Sequence, residues 1–178
     1  VSGGVDSMVL TDLLLATNFS IGFVHCNFQL RGVESDEDEQ FVRTFAETQQ
    51  IPFFSTRFDA KSFATNAKIS TQEAARILRY NYFEEIRTQN AFDYIVTAHH
   101  LNDSIETVLF HLARGTGIDG LLGIPKRNGR IVRPLLSFSK EEILEYAAKQ
   151  ELKWREDASN AKTDYTRNKI RHELLPIF

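Results

Sequence analysis

The sequence predicts an α/β fold in which a parallel, doubly wound sheet is flanked by helices and the chain ends in a helical tail. Short apolar runs, typical of strands buried on both faces, alternate along the chain with segments that carry helix caps and helical spacing. Polar clusters stand at residues 2–7, 25–31 and 99–106, where strands are expected to end. Because open parallel sheets bind ligands at the carboxyl ends of their strands, these clusters mark the expected functional edge.

The strands are predicted from four short apolar runs that contain β-branched or aromatic residues. They lie at residues 21–24, 52–58, 94–98 and 131–133. A polar loop at residues 25–32 leaves the first strand, and a flexible glycine-rich loop is expected at residues 115–123. Strands that alternate with helices in this way favour right-handed crossovers and a parallel sheet.

The helices are predicted from their caps and their apolar faces. Ser70 and Ser139 each stand three residues before a glutamate, which is the pattern of a capping box. Ser35 is expected to cap another helix, and Gly115 is placed to end one. Helices are expected over residues 6–17, from 35, over 70–89, from 102 or 103, over 139–150 and over 165–178. The expected core faces of three of them comprise Phe41, Val42 and Phe45; Ala75, Leu78, Tyr82 and Ile86; and Ile105, Val108, Leu109 and Leu112.

Length and composition predict a single domain over residues 1–178, because 178 residues that are 42% hydrophobic can bury one full core. The chain starts inside a motif, so we expect a truncated first strand, with a helical subregion at residues 139–178 that leads to further domains. No apolar run is long enough to span a membrane. Cys26 is the only cysteine, which excludes an internal disulfide and fits a reducing, cytoplasmic compartment. The net charge of -3 is not typical of a nucleic-acid binder.

Residues 2–7, Ser-Gly-Gly-Val-Asp-Ser, predict a tight turn that opens the first helix. The two glycines admit positive φ and a close approach to the backbone, and the helix start presents N–H groups and partial positive charge to a phosphate. The candidate phosphate contacts are Ser2, Gly3, Gly4, Val5, Asp6 and Ser7. A carboxylate repels phosphate, so the predicted role of Asp6 is to hold Mg²⁺. The alternative is a simple helix cap, and a Walker loop is excluded because no lysine follows.

A second cluster follows the third predicted strand. His99, Asp103 and Glu106 are spaced four and three residues apart, so they can share one helical face as candidate catalytic residues. Asp103 stands at a second strand end and is predicted to reach the same Mg²⁺ as Asp6. The alternatives are a helix-capping role for Asp103 and a zinc site, which the adjacency of His99 and His100 disfavours.

Charged runs have two interpretations each. Arg76 and Arg79, with Gln72, recur on one side of their helix, where they either contact phosphates or form solvated surface. Basic stretches at residues 126–133 and 162–172 either touch an RNA backbone or form ordinary surface. One acidic run suits a solvated helix start, with a metal cluster as the alternative. It consists of Glu34, Asp36, Glu37, Asp38 and Glu39.

The motif at residues 2–7 resembles the signature of the PP-loop ATP pyrophosphatases, which split ATP between its α and β phosphates. Seven further motifs, in their order, are similar to those of the tRNA(Ile)-lysidine synthetases over the whole chain. They are His-Cys-Asn-Phe-Gln-Leu-Arg at 25–31, Gln-Glu-Ala-Ala-Arg-Ile-Leu-Arg-Tyr at 72–80, His-His-Leu-Asn-Asp-Ser-Ile-Glu-Thr at 99–107, Arg-Gly-Thr-Gly-Ile-Asp-Gly-Leu at 114–121, Arg-Pro-Leu-Leu at 133–136, Asp-Ala-Ser-Asn at 157–160 and Tyr-Thr-Arg-Asn-Lys-Ile-Arg-His at 165–172. Two positions depart from that pattern. Phe28 replaces a usual histidine, and Asn102 replaces a common aspartate, which leaves Asp103 as the safer metal ligand.

The resemblance implies a Rossmann-like PP-loop ATPase fold with ATP and Mg²⁺ as cofactors. It implies that ATP adenylates the 2-carbonyl oxygen of the wobble cytidine in an isoleucine tRNA with a CAU anticodon. Free L-lysine then displaces AMP and forms lysidine. The implied catalytic residues are Asp6, Asp103, Arg79, His99 and Glu106, of which Asp6 and Asp103 bind the metal. The implied ATP contacts beyond residues 2–7 are His25, Arg76 and Arg114, and the implied tRNA contacts are Arg167, Asn168 and Arg171. The oligomeric state stays open, with a homodimer as one option.

Three other functions compete with this one. A tRNA-thiolating PP-loop enzyme usually needs further reactive cysteines, and an amidating or purine-forming synthetase would lack the motif at residues 165–172. A non-catalytic nucleotide-sensing module is the third, and isotope exchange between pyrophosphate and ATP separates these possibilities.

Overall fold

Six α-helices and five β-strands lie along residues 1–156, the part of the chain that the computed structural model describes. The helices are α1 (Val5–Leu15), α2 (Val33–Thr48), α3 (Ala60–Ala67), α4 (Thr71–Gln89), α5 (Leu101–Ala113) and α6 (Lys140–Lys149). The strands are β1 (Phe23–Asn27), β2 (Phe53–Arg57), β3 (Ile95–Val96), β4 (Arg127–Asn128) and β5 (Ile131–Val132). The segments Ile118–Leu122 and Pro134–Ser137 are 3₁₀ helices. The helix expected at residues 165–178 and the tRNA candidates Arg167, Asn168 and Arg171 lie outside the described residues.

The parallel pair β1–β2 is the sheet that identifies the fold class. Its register runs from Phe23 opposite Phe53 to Asn27 opposite Arg57, and α2 makes the crossover between the two strands. A parallel pair joined through a helix confirms the predicted α/β class. The remaining strands form a second sheet in the order β3-β5-β4, in which β4 and β5 are antiparallel.

The described chain divides into two units. The first comprises Val1–Gly3 and Thr11–Ile95 and contains β1, β2 and α2 to α4. The second comprises Gly4–Leu10 and the chain from Val96 onward, and contains β4, β5, α5 and α6. No helix among residues 1–156 is long and apolar enough to cross a membrane.

The core of the first unit lies between β1 and α2. Phe23 from the strand and Val42 and Ala46 from the helix are buried, and the ring of Phe45 stacks on Phe23 at a centroid distance of 6.2 Å. Phe41 packs against the same cluster. The predicted core face of α2 is therefore confirmed.

The start of α2 differs from the prediction. β1 extends to Asn27, so His25 and Asn27 are strand residues rather than loop residues, paired with β2. Their side chains are buried on the same face of the strand as that of Phe23. α2 begins at Val33, and Ser35 is a buried residue of its first turn instead of its cap. The Ser35 hydroxyl accepts a hydrogen bond from the Arg31 amide at 3.2 Å, so it caps the preceding loop.

α5 also differs from its prediction. It begins at Leu101, with His100 as its N-cap residue. Ile105 and Leu112 are 36% and 59% exposed, whereas Glu106 is only 4% exposed. Apolar residues surround much of this helix, so their spacing did not select one face. The buried face is set by tertiary packing.

Two further segments gain structure that the sequence left open. Residues 60–67 form α3, whose N-cap Asp59 accepts a hydrogen bond from the Ser62 amide at 3.0 Å. The loop expected at residues 115–123 contains a 3₁₀ helix, and Gly115 ends α5 as predicted, with φ of +69°. The capping box of Ser139 and Glu142 is confirmed, because both of its hydrogen bonds are present.

Candidate functional site

The glycine turn leads into α1 as the sequence predicts. Gly3 has φ of +89°, a conformation that other residues rarely adopt. A Cβ atom at this position would lie 3.3 Å from the Phe41 ring and 3.5 Å from Val42, so core side chains also enforce glycine here. The first α1 hydrogen bond runs from the Met8 amide to the Gly4 carbonyl at 3.0 Å. The amides of the first turn precede that bond, which is the arrangement found at helix starts that bind anions.

His25 supports the residue that precedes this turn. Its Nδ1 lies 2.9 Å from the Val1 carbonyl oxygen, and since a carbonyl only accepts, Nδ1 carries the proton. Burial lowers the pKa of His25, although the hydrogen bond to Val1 opposes that effect, so the ring is neutral at pH 7. As placed, His25 positions the start of the turn.

Asp6, at the first turn of α1, and Asp103, at the first turn of α5, converge on His100. His100 Nε2 lies 3.8 Å from Asp6 Oδ2 and 3.6 Å from Asp103 Oδ2. His100 is buried, and its backbone amide donates to Asp103 Oδ2 at 2.9 Å. Asp103 therefore caps α5, the role that was the alternative to metal binding. Asp103 also lies close to the His100 ring, which Asp6 approaches as well.

The two carboxylates fit a Mg²⁺ site that substrate completes. No group of three or more His, Cys, Asp or Glu residues within residues 1–156 is arranged to hold a metal ion by itself. Mg²⁺ usually takes one or two carboxylates, and substrate phosphates and water fill the remaining positions. Asp6 and Asp103 both lie within 4 Å of His100 Nε2 and are 31% and 22% exposed, so they supply the number of carboxylates that Mg²⁺ usually takes.

Lys140 is a site residue that the sequence analysis missed. Its ammonium group forms an ion pair and hydrogen bond with Asp6 Oδ1, across 134 positions of sequence. Its backbone amide donates to Asn102 Oδ1 at 2.9 Å, which joins the first turn of α6 to that of α5. One local signal was present: Lys140 is the first residue of α6, where the helix dipole disfavours a cation.

The same hydrogen bond explains the role of Asn102 in the structure. The side-chain oxygen that accepts from Lys140 exists in asparagine and in aspartate, so this anchoring role survives the departure from the family pattern. The Leu101 amide adds a bond of 2.9 Å to the Phe138 carbonyl oxygen, which strengthens the same junction.

His99 and Glu106 complete the second cluster. His99 Nδ1 lies 3.0 Å from the Thr97 hydroxyl, and His99 precedes α5 instead of sharing its helical face. Glu106 is a buried carboxylate on α5, three residues beyond Asp103. Asp103 and Glu106 therefore lie on one helix as their spacing predicts, whereas the prediction is wrong for His99, because the helix begins after it.

The three candidate phosphate-binding arginines share one arrangement, in which each guanidinium group lies over an aromatic ring. Arg76 lies 5.2 Å from the Tyr80 ring centroid. Arg79 lies 5.4 Å from the Phe28 centroid, and Arg114 lies 5.1 Å from the Phe110 centroid. Stacking of this kind orients the guanidinium plane and leaves its edge N–H groups directed outward.

Four other arginines of the described chain are paired with carboxylates, and one of them, Arg43, also lies over an aromatic ring, 4.7 Å from the Phe53 centroid. The pairs are Arg31–Asp38 at 2.6 Å, Arg43–Glu39 at 2.8 Å, Arg57–Asp36 at 2.9 Å and Arg87–Glu84 at 2.6 Å. None of the three stacked arginines has a carboxylate partner within residues 1–156. All three are exposed, so both interpretations, anion binding and solvated surface, stay open for them.

Phe28, the second departure, belongs to an aromatic cluster of the first unit. Its ring stacks on Phe58 at 5.7 Å, and Tyr82 meets Phe58 edge-on at 6.0 Å. Phe28 therefore supplies packing and a face for Arg79, and it offers no proton to transfer.

The acidic start of α2 is a hydrogen-bonded network. Glu39 accepts from Asn27 and Ser55 at 3.0 Å and from Arg43 at 2.8 Å, and Asn27 also donates to Asp36 at 2.8 Å. Burial raises the pKa of Glu39, but these hydrogen bonds outweigh it and hold the pKa below its usual range. The network satisfies buried groups, which argues against both a metal cluster and a fully solvated helix start.

Two residues outside these clusters limit the possible chemistry. Burial raises the pKa of Cys26 to about 11, so its thiol is not activated as a nucleophile. Arg133 is buried and donates to the Pro125 carbonyl oxygen at 2.7 Å. Arg133 is therefore structural, and it does not belong to the RNA-facing surface that the basic stretch at residues 126–133 suggested.

A parallel α/β fold, a glycine turn that opens a helix and two converging carboxylates define a phosphate-loop class of domain. The family model described as the PP-loop domain matches residues 1–178, and the chain belongs to this family. A protein of Bacteroides thetaiotaomicron named tRNA(Ile)-lysidine synthase is 48% identical over 99% of this chain and 42% of its own length. A protein of Chlorobaculum tepidum with the same name is 44% identical over 99% of this chain and 55% of its own length.

A solved structure is similar in fold. The U34-tRNA thiolase NcsA from Methanococcus maripaludis, with its [4Fe-4S] cluster, has a TM-score of 0.69 and 21% identity, covering 88% of this chain and 57% of that one. At that identity the likeness concerns the fold alone. The chain spans about two-fifths to a little over half of the length of the relatives named above.

Proposed function

We propose that this chain is the ATP-using catalytic domain of a tRNA(Ile)-lysidine synthase. The observation that carries the proposal is the convergence of Asp6 and Asp103 at two helix starts, in a PP-loop chain whose relatives bear that name over nearly all of its length. The substrates are ATP, an isoleucine tRNA with a CAU anticodon and free L-lysine. The single cysteine accords with a cytoplasmic location.

The residues of the turn and of the helix starts bind and orient the phosphates of ATP. Asp6 and Asp103 would hold Mg²⁺, which when bound neutralises phosphate charge. Residues 2–7 donate backbone and hydroxyl hydrogen bonds, and His25 holds the start of the turn. The proposed contacts to phosphate oxygens are Arg76, Arg79 and Arg114. Stacked arginines suit this role because forked N–H groups stabilise the charge that develops as pyrophosphate leaves.

The reaction has two displacement steps. The 2-carbonyl oxygen of cytidine attacks the α phosphorus of ATP, an O–P bond forms and pyrophosphate departs. The ε-amine of lysine then attacks the activated carbon, a C–N bond forms and AMP leaves with the oxygen. His99 and Glu106 are proposed to complete the catalytic set, and Arg167, Asn168 and Arg171, outside the described residues, are proposed to contact tRNA.

Thiolation of tRNA is the alternative with a structural neighbour. That chemistry usually needs reactive or cluster-binding cysteines, and this sequence contains Cys26 alone, with a pKa raised to about 11. The amidating synthetase and the nucleotide-sensing module remain alternatives for the test below to separate.

The test is isotope exchange between pyrophosphate and ATP, with and without the tRNA transcript, together with incorporation of labelled lysine. Exchange that depends on tRNA, and lysine bound to tRNA, are expected. Asp6→Asn should lower ATP binding or turnover at least about tenfold, since a charge-assisted contact contributes roughly 1.5–3 kcal/mol. Asp93→Asn, at an exposed position, is the control. Exchange without tRNA, or wild-type behaviour of Asp6→Asn, would contradict the proposal.

A further inference from the structure

Lys140 stands where a lysine is not expected. It is the first residue of α6, followed by Glu141 and Glu142, and Ser139 caps the helix. The positive end of the helix dipole favours the two glutamates and disfavours the lysine. When a residue breaks a local rule in this way, a compensating contact elsewhere in the fold is expected.

That contact is Asp6. The Lys140 ammonium group and the Asp6 carboxylate form an ion pair in which each side chain is about one-third exposed, at 32% and 31%. Lys140 has no other ion-pair partner within residues 1–156. Its amide is fixed by Asn102, so the base of the side chain is held while the ammonium group can change partners.

The oxygen that Lys140 contacts lies on the carboxylate proposed to bind Mg²⁺. An ammonium group and a divalent cation compete for one carboxylate, because the two positive charges repel each other when both lie beside it. A metal at Asp6 would therefore release Lys140 beside a helix start that already favours anions. The ligand class that suits a released ammonium at that position is phosphate.

We propose that Lys140 is a further nucleotide-binding residue, whose ammonium group neutralises Asp6 in the nucleotide-free protein and passes to an ATP phosphate when metal binds Asp6. This inference rests on the proposed function of the site. It also accounts for the lysine at the first position of α6, which helix formation alone disfavours.

The test uses the intact chain, with Mn²⁺ alone as the metal probe and ATP with excess Mg²⁺ as the second probe. Lys140→Met should bind Mn²⁺ at least about threefold more tightly than wild type, because the competing cation is gone, and should bind ATP about tenfold more weakly, because a charge-assisted contact is lost. Lys140→Arg should retain most of the ATP affinity. Lys149→Met, in the last turn of the same helix, should match wild type in both measurements.

The outcomes separate this inference from the proposed function. If wild type binds both probes and folded Lys140→Met binds Mn²⁺ no more tightly, or ATP no more weakly, the role of Lys140 is wrong and the site itself stands. If wild type binds neither probe, both proposals are wrong. Thermal unfolding of each variant identifies a loss of binding that is due to misfolding. If Lys140→Met misfolds, Lys140→Arg decides whether Lys140 binds the nucleotide. Loss of ATP affinity in a folded Lys140→Arg protein overturns the inference.

Discussion

Neighbouring side chains restrict which residues can occupy single positions of the glycine turn. Gly3 combines positive φ with close approach of the Phe41 and Val42 side chains, so both its backbone and its lack of a side chain matter. Asp6 has two charged or titratable neighbours, the cation Lys140 and the buried His100. Substitution at either position therefore changes a local contact of the turn.

The first residue-scale prediction concerns Gly3→Ala. A positive φ for alanine costs about 1–2 kcal/mol, and the new Cβ would press on Phe41, so the turn should shift and ATP affinity should fall at least about tenfold. Gly129→Ala is a matched control, since Gly129 also has positive φ, of +58°, but a Cβ there meets no atom within 4 Å. It should lower stability modestly without weakening ATP binding. Equal ATP affinities for the two variants would contradict the argument.

The second residue-scale prediction concerns Cys26→Ser. Because burial raises the pKa of this thiol to about 11, almost none of it is thiolate at pH 7, and no partner cysteine exists for a sulfur relay. The variant should keep most lysine incorporation into tRNA, with a small loss of stability. A folded but inactive Cys26→Ser protein would revive the thiolation alternative.

At the scale of elements, the fold joins helix starts to strands through buried polar groups. Glu39 of α2 links Asn27 of β1 to Ser55 of β2 through its two carboxylate oxygens. Removing its charge would weaken hydrogen bonds to the last residue of β1 and to the middle residue of β2. This network is a structural support for the edge at which β1 and β2 end.

The element-scale prediction is a pH dependence of stability that comes from Glu39. Its pKa in the folded chain is below the ordinary value of 4.5, so the unfolded state binds more protons as the pH falls. The stabilisation is complete above about pH 4.5 and is lost as the pH drops through the folded pKa. Glu39→Gln should lower the free energy of unfolding at pH 7 by about 1–3 kcal/mol and flatten its decline below pH 4.5. Urea unfolding across pH 3 to 7 measures this; an unchanged slope in the variant would refute it. Glu47→Gln, at an exposed position of the same helix, is the control.

At the scale of the whole molecule, the charge of this chain does not favour tight binding of RNA. The net charge is -3, and Arg133, from one of the two basic stretches, is buried. The named relatives are longer than this chain, which covers 42% of the Bacteroides protein. We therefore expect this chain to bind ATP and to hold tRNA more weakly than its longer relatives do.

The whole-molecule prediction compares tRNA binding by this chain and by the full-length Bacteroides relative. Each neutralised phosphate adds about 0.7–0.9 to the slope of log affinity against log salt. The chain alone should bind tRNA more weakly and with a shallower slope. Filter binding at two salt concentrations is the measurement, and equal affinity with an equal slope would refute this division of labour.

The sequence alone was sufficient for features that depend on near neighbours. Capping by Ser70 and Ser139, the turn at Gly3 and the helix end at Gly115 depend on residues a few positions away, and the structure confirms all four. The α/β class followed in the same way, because alternating patterns constrain a sheet before any contact is known. The motif order also identified the family correctly.

Tertiary structure decided the features that depend on distant partners. The pair Lys140–Asp6 spans 134 positions, and only chain folding brings those charges together. The burial of Glu106 in place of Ile105 was likewise invisible, since apolar side chains surround α5 and packing chose the face. The raised pKa of Cys26 has the same origin, because desolvation is a property of the space around a group and not of the residue itself.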